Sequence, residues 1–208
     1  MLPAKQICEL ARERGIISVV DGAQTPGHIR IDVEKLGCDA YYGSPHKWLM
    51  APAGNGFLYV KESLIDKVWT TFASSQWDNH EDNGYRLGQR GTGNPSLLIG
   101  FEVALELHFE IGPQRVYNRI RELGDRLRAG LAKIGGVEIV TPRDSMRAGL
   151  TTFKIRGVED KDVQTQLWKR GKIQPRALSK GKGIRYSTHI YNSEDEVNRT
   201  LAVLNDLL

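Results

Sequence analysis

Residues 16–20 (Ile-Ile-Ser-Val-Val) form a short, β-branched apolar run that stops at Asp21-Gly22-Ala23-Gln24. Such a run, too short for a buried helix and ending in small polar residues, predicts a strand covered on both faces in a parallel sheet. Its surroundings fit that reading. Residues 4–14 place Ile7, Leu10 and Ala11 on one helical face, and Gly15 follows as a stop. Residues 33–36 predict a brief helical turn closed by Gly37, residues 39–42 a second strand, and residues 54–60 a third with a glycine-rich entry. Alternating helix and strand at this spacing indicates an α/β fold.

The later chain changes character. Residues 70–89 are polar without clear periodicity, which predicts a long loop at an active site or a partner contact. Asn94-Pro95-Ser96 opens a helix whose Leu98, Phe101, Ala104, Leu105 and Leu107 are expected to bury one side. A second helix is expected over residues 113–133, stopped by Gly135-Gly136. Strands at 137–140, 150–155 and 184–187, with helices near 160–170 and from Ser193, read as α+β. The expected division is into residues 1–99 and residues 100–208, the second part including a linking helix. No internal repeat or low-complexity tract is present.

Composition excludes several classes. With 208 residues, the chain can bury well over half of its unfolded surface. Its 29 Lys+Arg are scattered among 25 Asp+Glu, so nucleic acid is not an expected partner. Cys8 and Cys38 are too few for a disulfide scaffold and lack zinc-site spacing. No apolar run approaches the roughly 20 residues of a membrane span, and Met1-Leu2-Pro3-Ala4-Lys5 is not a signal peptide. The expected protein is cytoplasmic and off the membrane.

Four places carry residues that chemistry could use. Asp21 ends a strand, where open α/β sheets bind ligands, although a turn or cap role explains an Asp equally well. Gln24 could share a ligand with it. In Ser44-Pro45-His46-Lys47-Trp48, a Lys in a tight turn beside a His could be partly desolvated, freeing its amine as a nucleophile. Ser44 and His46 could hold a phosphate; an exposed basic turn is the plainer alternative. Gly88-Gln89-Arg90-Gly91-Thr92-Gly93-Asn94 offers backbone N–H groups ahead of a helix, or is simply a loop. Arg185, inside the apolar strand Gly-Ile-Arg-Tyr-Ser, needs a carboxylate: a ligand's or a structural one.

Together these motifs resemble the class V aminotransferase family, pyridoxal-phosphate enzymes of fold type I. The resemblance covers nearly the whole chain and rests on four stretches in the family's order. They are Val20-Asp21-Gly22-Ala23-Gln24, Ser44-Pro45-His46-Lys47, Arg90-Gly91-Thr92-Gly93-Asn94-Pro95 and Ile184-Arg185-Tyr186-Ser187, the last followed by Tyr191-Asn192 and Glu194. His46-Lys47-Trp48-Leu49-Met50-Ala51-Pro52 with Gly56-Phe57-Leu58-Tyr59-Val60 is most similar to the isopenicillin-N epimerase-like branch.

The resemblance implies a fold: the C-terminal part of a large, mainly parallel-sheet domain plus a small α+β domain. It also implies roles. Lys47 would form the Schiff base with pyridoxal 5'-phosphate, and Asp21 would hold the proton on the ring nitrogen. Gln24 would lie by the phenolic oxygen, with Ala23 against one ring face. Ser44 and His46 would bind the phosphate, Thr92 would reach the phosphate of a partner subunit in a homodimer sharing its sites, and Arg185 would clamp the α-carboxylate of an amino-acid substrate. The resemblance further implies that Met1-Leu2-Pro3-Ala4-Lys5 corresponds to the middle of the family's large domain, so that the chain is expected to be a C-terminal fragment, poor at turnover alone. Residues 171–183 contain no Cys, so desulfuration through an enzyme persulfide is not expected.

The expected function is therefore transamination, epimerisation or elimination on an amino acid, beginning with Lys47. Alternatives are a non-catalytic interaction module and a C–S lyase without a catalytic Cys. A metal hydrolase using Asp21, His28, Asp39 and His46 lacks any recognised ligand spacing, and no metal is expected.

Overall fold

The computed structural model describes residues 2–89, 91–142 and 146–207. It forms two compact units, Pro3–Ile111 and Gly112–Leu208. The division falls after the long helix that opens at Pro95, not near residue 100. Gly112, at φ 94°, turns the chain there, and Pro113 starts the next helix.

In the first unit, α1 (Ala4–Glu13) leads to β1 (Val19–Asp21), α2 (Val33–Leu36), β2 (Ala40–Gly43) and β3 (Phe57–Val60). Asp32 caps α2 by accepting from the Lys35 N–H, and Gly37 ends it at φ 69° in the left-handed region. The sheet order is β1-β2-β3. β1 and β2 are parallel, with Asp21 opposite Tyr42, and β3 returns antiparallel. Cys8, Cys38 and Tyr41 form the small core, with Val20, Ile31 and Phe57 packed on it.

Two short helices, α3 (Glu62–Ile65) and α4 (Asn83–Gly88), follow, and then α5 (Pro95–Ile111). The segment read as a long loop thus contains α4, which turns Arg86 inward. Its guanidinium donates to the carbonyls of Val68 and Ile65 and to Asn83 Oδ1. A polar helix of six residues leaves no apolar period to detect.

Three apolar faces depart from the sequence reading. β1 is an edge strand with one partner, and Val19 is 60% exposed instead of buried on both faces. α1 buries Cys8 while Ile7 and Leu10 stay exposed. α5 buries Ala104 and His108, whereas Leu98 and Leu107 face outward. The expected burial fails for one reason: among the described residues no element of the unit lies over these faces.

The second unit holds α6 (Pro113–Leu131), β4 (Val137–Ile139), β5 (Leu150–Ile155), α7 (Asp160–Gly171), β6 (Arg176–Ala177), β7 (Ile184–Ser187) and α8 (Glu194–Asn205). Its antiparallel sheet runs β4-β5-β7-β6. One face is covered by the three helices, through Leu123 and Leu127 of α6, Leu167 of α7 and Val197 of α8 against Phe153 and Ile184. A fully buried Leu or Phe contributes about 1.5–3 kcal/mol by removal from water, so this unit carries its own core. Ser193 and Glu196 form a reciprocal capping box at the start of α8. Arg119 of α6 forks onto Glu194 at 2.6 and 3.0 Å, pinning that helix start. The bidentate pair holds the Glu194 carboxyl down at about 2.

Candidate active site

β1 and β2 run parallel with Asp21 opposite Tyr42, so the loops after both strands leave the sheet from the same end. That end is where open α/β sheets place ligands. Asp21 closes β1 with an exposed carboxylate, and its Oδ1 accepts from the Ala23 N–H at 2.9 Å. Partial desolvation and the neighbouring Asp21 carboxylate hold the Tyr42 phenol above its ordinary value. Ala23 and Gln24 are half-buried in the turn that follows.

After β2, residues 44–50 coil tightly, with the Ala51 N–H donating to the Pro45 carbonyl and the Met50 N–H to that of Lys47. Ser44 and Lys47 are half-buried, His46 is exposed and Trp48 is buried. No hydrogen bond or ion pair holds the Lys47 amine among the described residues, so it stands available.

The two loops are locked together. The Trp48 indole Nε1 donates to Gln24 Oε1 at 3.0 Å. The His28 ring stacks on Trp48, centroids 3.8 Å apart and planes within 5°. His28 Nδ1 lies 2.9 Å from the Gln24 carbonyl, which only accepts, so this nitrogen carries the hydrogen. Two glycines make the contact possible. A Cβ on Gly27, at φ 79°, would lie 2.5 Å from the Trp48 carbonyl oxygen, and one on Gly22 would overlap the Tyr41 ring. Thr25 bonds both the Tyr41 hydroxyl and the Gly22 carbonyl, holding the turn.

The structure therefore gathers Asp21, Ala23, Gln24, Ser44, His46 and Lys47 at one end of the sheet. Thr92 is exposed in the loop before α5; Arg90 of the same motif lies outside the described residues. Asn55 tethers α5 nearby by donating to the Leu97 carbonyl at 2.6 Å. His28 is stacked on Trp48, and Asp39 accepts from Ser18 N–H and Oγ–H. Among the described residues no three His, Cys, Asp or Glu side chains converge as metal ligands, and no helix is long and apolar enough to cross a membrane.

Arg185 belongs to the second unit. Its neighbours Ile184 and Tyr186 turn into the core, so the strand's alternation puts Arg185 and Ser187 on the opposite face. Arg185 Nε is buried without a hydrogen-bond partner, and no carboxylate pairs with its guanidinium among the described residues. Burial and the nearby Arg176 lower its pKa from the ordinary arginine value. It borders an open cleft of about 320 Å³.

Residues 1–200 match the family model for class V aminotransferases. The chain belongs to the class V aminotransferase family. Isopenicillin N epimerase of Amycolatopsis lactamdurans is 35% identical over all of the chain and 56% of its own length. Among solved structures, the apo cysteine desulfurase of Thermococcus onnurineus superposes with a TM-score of 0.86 at 28% identity, covering 99% of this chain and 56% of that one. The cystine C–S lyase C-DES, in a mutant with glycine covalently linked to its PLP cofactor, gives 0.87 at 25% identity, covering 99% and 57%. The class V chain thus spans a little over half the length of these relatives. The family is pyridoxal-phosphate-dependent, and the α/β fold is that of its fold-type-I members. For the class V chain, two elements of the loop cluster escaped sequence reasoning: the Trp48–Gln24 bond and the His28 stack. Trp48 stood in the motif, but only strand pairing reveals its partner.

Proposed function

We propose that this chain carries the cofactor anchor and substrate carboxylate site of a pyridoxal-phosphate enzyme acting on an amino acid. The observation that carries the reading is the Trp48–Gln24 bond, which joins the Asp21 and Lys47 loops at the carboxyl ends of two parallel strands. The donor set suits the cofactor: a carboxylate, an amide, a hydroxyl, an imidazole and an amine with no partner among the described residues. When bound, pyridoxal phosphate supplies an electron sink for the substrate's α-carbon.

In this reading Asp21 holds a proton on the pyridine nitrogen, and Gln24 donates its amide N–H to the phenolic oxygen. Ala23 packs on the ring face, while Ser44 and His46 hold the phosphate. Lys47 Nζ would anchor the cofactor's aldehyde carbon and would serve as general base for the substrate's α-proton. Arg185 binds the α-carboxylate. Thr92 reaches the phosphate bound by a second copy, and the exposed α5 residues Leu98, Ile99 and Val103 suit a homodimer contact.

Epimerisation is the reaction we favour, given the similarity to isopenicillin N epimerase over the whole chain. Transamination starts from the same proton transfer. A C–S lyase reaction is the second reading, favoured by the likeness to C-DES. A persulfide route has no support, since residues 171–183 lack Cys and both Cys8 and Cys38 are buried in the other unit. Incubating the chain with pyridoxal phosphate, reducing with borohydride and mapping peptides tests the anchor. The pyridoxyl group is expected on Lys47; a label on another lysine overturns the assignment.

A further inference from the structure

The cleft beside Arg185 is unusually cationic. Lys172, Arg176, Arg185 and Arg199 border it, against one carboxylate, Glu196. That carboxylate is already committed, since its Oε2 accepts from the Ser193 N–H at 2.9 Å and from Asn192 Nδ2 at 3.0 Å. Lys172 is also occupied, its ammonium lying 5.3 Å over the Trp168 ring.

Arg176 and Arg185 are direct partners in the β6–β7 ladder. Opposite residues of an antiparallel pair stand on one face with Cβ atoms about 4.5–5.5 Å apart, and like charges there repel. Neither guanidinium has a hydrogen bond or an ion pair among the described residues. Their depths differ: Arg185 is half-buried with Nε sealed from solvent, whereas Arg176 is exposed on the edge strand. The cleft's volume, about 320 Å³, is several times that of one carboxylate, a group not much larger than a water and its roughly 30 Å³. The cleft therefore has room for more than one carboxylate, and the two arginines border it at different depths.

We propose that Arg176 forms a second anion subsite beside Arg185, so that the substrate is an amino acid bearing a second carboxylate. This rests on the reading of Arg185 as the α-carboxylate site. Arg185 takes one carboxylate deep in the cleft, and Arg176 takes the distal one at its rim, relieving the repulsion between the two guanidinium groups.

Calorimetric titration of the full chain with two five-carbon probes, glutarate and pentanoate, tests this. Glutarate is expected to bind about tenfold more tightly than pentanoate, as one added charge-assisted hydrogen-bonded contact supplies. Arg176→Gln should erase that preference and leave pentanoate binding unchanged; Arg176→Lys should keep part of it, showing that charge and not folding is responsible. Arg185→Gln should weaken both probes. Equal affinities in the parent chain, or a preference that survives Arg176→Gln, overturn the second subsite and leave Arg185 standing. Pentanoate binding indifferent to Arg185→Gln overturns instead the underlying assignment of Arg185.

Discussion

The Trp48 indole donates to Gln24 Oε1 at 3.0 Å, which orients the side-chain amide of Gln24 and leaves its NH2 to donate to a ligand. A residue buried behind the site thus fixes the polarity of one in it. Trp48→Phe keeps an aromatic face for His28 but removes the donor. A net hydrogen bond is worth about 0.5–1.5 kcal/mol, so pyridoxal-phosphate affinity should fall roughly two- to tenfold, read by fluorescence titration. If Trp48 acts through Gln24, adding Gln24→Ala to Trp48→Phe should cost little beyond Gln24→Ala alone. Fully additive losses would show that the two act independently.

Gly27→Ala should destabilise the first unit severely. The new Cβ would sit 2.5 Å from a backbone oxygen that cannot rotate away, at φ 79°. The left-handed conformation costs about 1–2 kcal/mol for a non-glycine residue and overpacking typically about 1–3 kcal/mol more. Gly15→Ala provides the control, since Gly15 also has positive φ but nothing within 4 Å of its Cβ. Urea unfolding should show the larger loss at Gly27; equal losses would mean that the loops part without penalty.

Asp21→Asn should separate binding from proton transfer. Asn keeps an oxygen to accept from the Ala23 N–H, and the side chain is exposed, so folding should be unaffected. Loss of the charge that holds the ring proton should lower kcat by about a hundredfold or more, the usual scale for removing one preorganised electrostatic contact. Near-parental kcat with this variant would contradict the role assigned to Asp21.

The Arg119–Glu194 pair makes the second unit acid-sensitive. Glu194 titrates at about 2 when folded, against an ordinary value of 4.5. As pH falls below 4.5 the unfolded chain takes up the proton first, so the pair's stabilisation, complete above that pH, fades until pH 2. Thermal melts of the parent chain and Arg119→Gln should therefore differ most at neutral pH and converge between pH 4.5 and 2. Because Glu194 is solvent-accessible, the gap should be small and shrink with salt. A gap constant with pH would show that Arg119 acts through packing instead.

Much of this protein is written locally in its sequence. Alternation marks β5 and β7, Pro113 begins α6, Gly37 ends α2, and Ser193 opens α8, because each signal depends on a few adjacent residues. The family motifs are equally local: Asp21 after an apolar run, and Lys47 in a Ser-Pro-His turn. What neighbours decide was not legible. The apolar runs at β1 and α5 look the same whether covered or bare, so the exposure of Val19 and Leu98 emerges only when the surrounding elements are in place. α4 has too little apolar periodicity to announce itself, and the carbonyls that close around Arg86 come from residues 18 and 21 positions away. Gln24 and Trp48 stand far apart in the chain, as do His28 and Trp48, and parallel pairing of β1 with β2 brings their loops together. Arg176 and Arg185 become neighbours through the register of β6 on β7. Residue types and short-range spacing determined the elements and the chemical groups; strand pairing, a long-range choice among buried surfaces, decided which of those groups meet.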